Sequence, residues 1–84
     1  MGFKYEDEKL ELDFKGTIYM FRAPSALEQQ AVSKKFKHAD ENTDALDLYI
    51  EFFESLGIPK DVSSQMSMKG IVELFSYAVG AKKN

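Results

Sequence analysis

The stretch Thr43-Asp-Ala-Leu-Asp-Leu-Tyr-Ile-Glu-Phe-Phe-Glu-Ser-Leu56 decides how this chain folds. Its apolar residues recur at helical spacing and form one stripe: Leu46, Tyr49, Ile50, Phe53 and Leu56. A second set widens that stripe on one side: Ala45, Leu48 and Phe52. Thr43 or Asn42 can cap the start, and Gly57 followed by Pro59 is a typical helix end. We therefore predict a central helix over about residues 43–56.

Acidic residues lie on the opposite face of this central helix. They step by three or four positions along it: Asp40, Asp44, Asp47, Glu51 and Glu54. The preceding segment is basic, with Lys34, Lys35 and Lys37. We predict an electrostatic interface between these three lysines and Asp47, Glu51 and Glu54, either within one chain or between subunits. The alternative is that both sets are ordinary solvated helix faces, which contribute little to stability.

Composition describes a small folded chain with few chemical options. Its 84 residues predict a single domain over 1–84 that ends in a polar tail, 81–84. With no cysteine there is neither a disulfide nor a thiol site. The net charge of −3 argues against a nucleic-acid partner, and no apolar run is long enough to predict a membrane span. We expect a cytoplasmic protein.

The N-terminal part predicts a β-hairpin with strands at about 8–14 and 17–22. Apolar and acidic residues alternate through the first strand, and β-formers fill the second. A three-residue loop with Gly16 left-handed would pair Leu12 with Ile18 and Leu10 with Met20. This is the register that we expect. A two-residue loop would exchange the two faces of the second strand, because side chains alternate along it.

Two or three further helices are predicted around the central one, three or four in all, which makes the chain an α+β domain. The first covers about 26–38, because Pro24 ends the strand and Ser25-Ala-Leu-Glu28 has the form of a capping box. The others cover about 59–65 and 68–79. In the last helix the expected buried stripe is Met68, Ile71, Val72, Phe75 and Val79.

No residue pattern supports catalysis, a cofactor or a metal, and we expect a protein that is not an enzyme. His38 is the only histidine and has no partner at catalytic spacing. Residues 40–51 place oxygen ligands at several positions of a calcium loop, but Ala45 stands where the sharp turn needs glycine. Helical periodicity also runs through the second half of that loop.

Several short motifs together resemble the small tail assembly chaperones of long-tailed bacteriophages. They are Gly16-Thr-Ile-Tyr-Met-Phe-Arg-Ala-Pro24, the helix that starts at Ser25, the acidic and apolar helix ending at Gly57-Ile-Pro59, and Gly80-Ala-Lys-Lys-Asn84. The resemblance covers nearly the whole chain. It implies a protein that binds apolar helical segments of the tape measure protein and keeps the tape measure protein soluble during tail tube assembly. It also implies a homo-oligomer that is absent from the finished particle.

Such a chaperone needs exposed apolar surface bordered by charge. The candidates for partner binding are Tyr19 and Phe21 on the second strand, with Leu48 and Phe52 on the flank of the central helix. The alternative for all four is burial in the domain's own core. A different function also fits the sequence, namely a small acidic regulatory or immunity-type protein that inhibits a partner through helix 43–56.

Overall fold

A hairpin followed by four helices makes up the described part of the chain, residues 2–39 and 44–80 of a computed structural model. The strands are β1 (Lys9–Phe14) and β2 (Thr17–Arg22), and the helices are α1 (Ala26–Lys37), α2 (Ala45–Leu56), α3 (Lys60–Ser63) and α4 (Met68–Ala78). The predicted α+β fold is confirmed. The predicted first residue of the central helix, Thr43, and the tail 81–84 lie outside the described residues.

The hairpin pairs its strands in the register that we did not expect. A two-residue turn, Lys15-Gly16, joins the strands, and both residues have positive φ, 50° and 92°. Leu10 therefore lies opposite Phe21, and Leu12 lies opposite Tyr19. The expected register was wrong: both loop lengths are compatible with the sequence, and the two-residue turn is the one that places Phe21 on the face that packs on the helices. Asp13 supports the turn by accepting a hydrogen bond from the Gly16 amide at 3.0 Å.

This register decides which face of the hairpin is buried. Phe21 and Leu10 point inward and are 4% and 9% exposed. Ile18 and Met20 point outward and are 51% and 57% exposed. The face of β2 that carries Tyr19 and Phe21 is thus the face that packs on the helices.

Helix α2 lies at the centre of the core. Its residue Phe53 is fully buried, as are Ile58 in the following loop and Ile71 on α4. Asp44 caps the first turn by accepting from the Leu46 amide at 3.0 Å, in place of the expected Thr43 or Asn42. A left-handed Gly57, with φ of 115°, ends the helix beside the backbone of β2.

Helix α4 is rotated relative to our expectation. Its buried residues are Ile71, Leu74 and Ala78, whereas Met68 and Val72 are 48% and 45% exposed. The residues of the buried set are also spaced by three and four, so the helix has two adjacent apolar stripes. Periodicity cannot choose between such stripes, and packing against α2 and the hairpin does.

An ion pair joins the hairpin to the first two helices. The Arg22 guanidinium donates to both carboxylate oxygens of Glu28 at 2.6 Å, and also to the backbone carbonyl of Ser55 at 3.1 Å. Ser25 and Glu28 form the predicted capping box at the start of α1. Hydrogen bonds from Arg22 and from the Ser25 amide lower the pKa of the Glu28 carboxyl from its ordinary 4.5 to about 2.

We predict that Glu28→Gln lowers the free energy of unfolding at neutral pH by about 1 kcal/mol, since the partly exposed pair is screened by solvent. The depressed pKa means that Glu28 stabilises the fold fully above pH 4.5, and that this contribution disappears as the pH falls towards 2. Urea unfolding of the wild type and of Glu28→Gln, at neutral pH and near pH 2, measures the difference in the free energy of unfolding. If the wild type and Glu28→Gln differ by the same free energy of unfolding at both pH values, the assigned ion pair is contradicted.

Candidate partner-binding groove

A groove runs between α1 and α2 along about two turns of each helix. It has a volume of about 230 Å³. Residues at helical spacing line both sides, with Glu28, Ala31, Val32 and Lys35 on α1 and Leu48, Glu51, Phe52 and Ser55 on α2. The two helices run antiparallel here, because Arg22 reaches both Glu28 near the start of α1 and Ser55 near the end of α2.

The floor of the groove is apolar and its rim is charged. Val32 and Phe52 are buried, and Leu48 is half-buried with part of its surface open to the groove. On the rim, Lys35 Nζ lies 3.0 Å from Glu51 Oε1 and links the two helices. Both side chains are more than half exposed, so this pair contributes little stability. The arrangement can accept an apolar side chain while keeping the surrounding surface hydrated.

Two of the four predicted partner-binding residues meet in this groove, and two do not. Leu48 and Phe52 line it together. Tyr19 and Phe21 lie on the inner face of the hairpin, where Tyr19 is half-buried against the core. The expected exposure was wrong for Phe21 and for Phe52, which are 4% and 7% exposed. The hairpin register turns Phe21 inward, and Phe52 packs against Phe53 and Phe75.

The predicted electrostatic interface is realised within the chain at one pair, Lys35 with Glu51. The other four members of the predicted set are exposed and do not line the groove: Lys34, Lys37, Asp47 and Glu54. Residues 40–42, which begin the calcium-loop pattern, lie outside the described residues. Within the described ranges, no cluster of three or more His, Asp or Glu side chains could hold a metal.

Sequence reasoning missed a second apolar surface. Phe36, Tyr49 and Phe75 line an open hollow of about 520 Å³, together with Ser33 and Lys37. Their rings are close, with centroids 4.8 Å apart for Phe36 and Tyr49 and 5.3 Å apart for Tyr49 and Phe75. All three rings are half-buried. The spacing of Tyr49 and Phe75 on their helices was visible in the sequence, but it indicated core positions.

No protein-family model, curated protein or solved structure matches this chain. In the part that the structure describes, no helix has both the length and the apolar character needed to cross a membrane.

The burial of the two groove residues predicts different costs of truncation. Phe52→Ala should lower the free energy of unfolding by about 3 kcal/mol, because it leaves a cavity in a packed aromatic cluster. Leu48→Ala should cost about 1 kcal/mol, because the side chain is only half-buried. Urea unfolding followed by circular dichroism measures both. Equal costs for the two variants would mean that Leu48 is a core residue and that the groove is closed in solution.

Proposed function

We propose that this protein is a non-enzymatic tail assembly chaperone of the long-tailed bacteriophage type. It binds the tape measure protein in the host cytoplasm and keeps it soluble while the tail tube forms. The observation that supports this most is the α1–α2 groove, whose apolar floor lies between charged rims. The resemblance in the sequence motifs supplies the identity of the partner.

The groove has the properties that a soluble holdase requires. A chaperone must expose apolar surface to its client without aggregating itself, and charge around a narrow apolar strip satisfies both demands. Here Lys35 and Glu51 border the strip, and the Arg22–Glu28 pair lies at one of its ends. These charged side chains thus interrupt the apolar surface of the free protein and keep the surface around it hydrated.

The shape of the groove favours a helical client. Two antiparallel helices form its walls, and a third helix packs into such a cleft through apolar residues spaced by three and four. A volume of about 230 Å³ accommodates one or two large side chains. Leu48 is the accessible anchor on α2, and a few such anchors dominate the affinity of an interface.

We predict that Leu48→Glu weakens binding of apolar helical segments of a tape measure protein at least about tenfold, equivalent to about 1.4 kcal/mol. A carboxylate on the floor would lose hydration when the client covers it. The measurement is calorimetric titration with recombinant segments, together with light scattering to follow their aggregation. Leu27→Glu is the matched control, because Leu27 is 75% exposed at the start of α1 and does not line the groove.

Circular dichroism must show that both variants stay folded. Loss of binding in Leu48→Glu, with binding retained in Leu27→Glu, supports the groove as the client site. Unchanged binding and unchanged suppression of aggregation in a folded Leu48→Glu would exclude it.

A second candidate is the acidic inhibitor that acts through α2, and the exposure of its acidic face favours it. Asp44, Asp47 and Glu54 are all exposed on this helix. Such an inhibitor needs a basic partner, and its affinity falls steeply as salt rises. An Asp47→Lys/Glu54→Lys variant should abolish inhibitor binding. It should leave the client binding of a chaperone nearly unchanged, because neither residue lines the groove.

A further inference from the structure

Two ion pairs border the α1–α2 groove, and they differ in how firmly they are held. At one end, the Glu28 carboxylate accepts two hydrogen bonds from the Arg22 guanidinium at 2.6 Å and a third from the Ser25 amide at 2.9 Å. Both carboxylate oxygens are therefore occupied by well-placed donors. The Arg22–Glu28 pair is a fixed part of the fold.

The second pair, Lys35 with Glu51, is held by a single hydrogen bond. Lys35 Nζ donates to Glu51 Oε1 at 3.0 Å, and the two side chains are 55% and 68% exposed. Among the residues that the structure describes, no other hydrogen bond to either charged group is present. An ammonium has three N–H groups and a carboxylate has two acceptor oxygens, so each can take another partner. Because an exposed pair contributes little free energy, its partners can exchange at small cost.

The Lys35–Glu51 pair crosses the groove over its apolar floor. The two residues line the groove from opposite helices and are bonded to each other across it, and Val32 and Phe52 form the buried floor. A helix that lies along the groove must therefore displace this bond. The client would then partly cover both charges, and covering an unpaired charge is costly. Each charge needs a new partner, which the client can supply.

We infer that the client of this groove is an amphipathic helix with opposite charges along the two edges of its apolar stripe. The edge over α1 carries a carboxylate that accepts from Lys35, and the edge over α2 carries an amine or guanidinium that donates to Glu51. This client chemistry rests on the proposed function, because it describes the partner of the same groove. It adds the charge order of the partner, which an apolar floor alone does not select.

The same charge order fixes the direction of the client in the groove. Reversing a helix exchanges its two edges, so a helix with one acidic and one basic edge matches Lys35 and Glu51 in only one direction. The reverse direction would place like charges together, which lowers affinity. Apolar burial has no such preference, because the hydrophobic effect is not directional.

The first test compares two synthetic helical peptides that share one stripe of leucines. The mixed-edge peptide has Glu along one edge and Lys along the other, and the neutral-edge peptide has Gln along both. In calorimetric titration, the wild type should bind the mixed-edge peptide at least about fivefold more tightly. Lys35→Gln/Glu51→Gln should bind the two peptides equally. It should also bind the neutral-edge peptide more tightly than the wild type does, because no ion pair has to be displaced.

The matched control is Lys34→Gln/Asp47→Asn, which also removes one positive and one negative charge. Both residues are exposed and neither lines the groove, so the control should keep the wild-type preference. Equal binding of the two peptides by the wild type would overturn the assigned charge order and leave the groove as the client site. If the wild type binds neither peptide, the groove itself is excluded, and the proposed function loses its main support.

The second test measures the direction of the bound peptide. The chain has no cysteine, so Ser55→Cys places a single thiol at one end of the groove. Mixed-edge peptides with a cysteine at the amino or at the carboxyl end are offered under oxidising conditions, and one of them should crosslink in clear excess. Adding Lys35→Glu/Glu51→Lys keeps the pair with its charges exchanged, and should move crosslinking to the other end. Equal crosslinking of both ends, or an unchanged preference in the exchanged variant, would overturn the inference.

Discussion

The fold depends on covering the apolar face of α2. Phe53 is fully buried, and Ile50 and Leu56 are nearly so, because other elements pack around this one helix. Burial of a side chain of this size contributes about 2 kcal/mol or more. In a chain of 84 residues, few other sources of comparable stability exist. The remaining elements pack over this helix, and the surfaces that they leave open are the candidate binding surfaces.

The ends of α2 determine how its neighbours are placed. Gly57 turns the chain with a φ of 115°, a conformation that favours glycine, and places this loop beside the backbone of Phe21 on β2. Nearby, the Arg22 guanidinium bonds the Ser55 carbonyl and the Glu28 carboxylate, and so joins β2, α1 and α2. The position of α1 over α2 follows from these contacts. The groove exists because α1 is held at its start by the Arg22–Glu28 pair and packs on α2 through Phe36, yet buries only Val32 fully.

Two of the apolar surfaces that are open in the described residues have different borders. The α1–α2 groove is narrow and is crossed at its rim by a charge pair, which suits a transient client. The aromatic hollow of Phe36, Tyr49 and Phe75 is larger and more open, and its border includes Lys37.

The sequence by itself determined the elements of this protein. The capping box at Ser25 and Glu28, the stop at Gly57 and the stripe of α2 are local signals, and they depend on spacings of three or four residues. Tertiary structure alone decided the hairpin register, the buried side of α4 and the placement of Leu48 and Ala31 in one groove. Each of these is a choice between arrangements of similar local energy. A two-residue or a three-residue turn, or either of two adjacent apolar stripes, satisfies the local pattern equally. Only packing against distant residues separates them, because burial is a property of the assembled core.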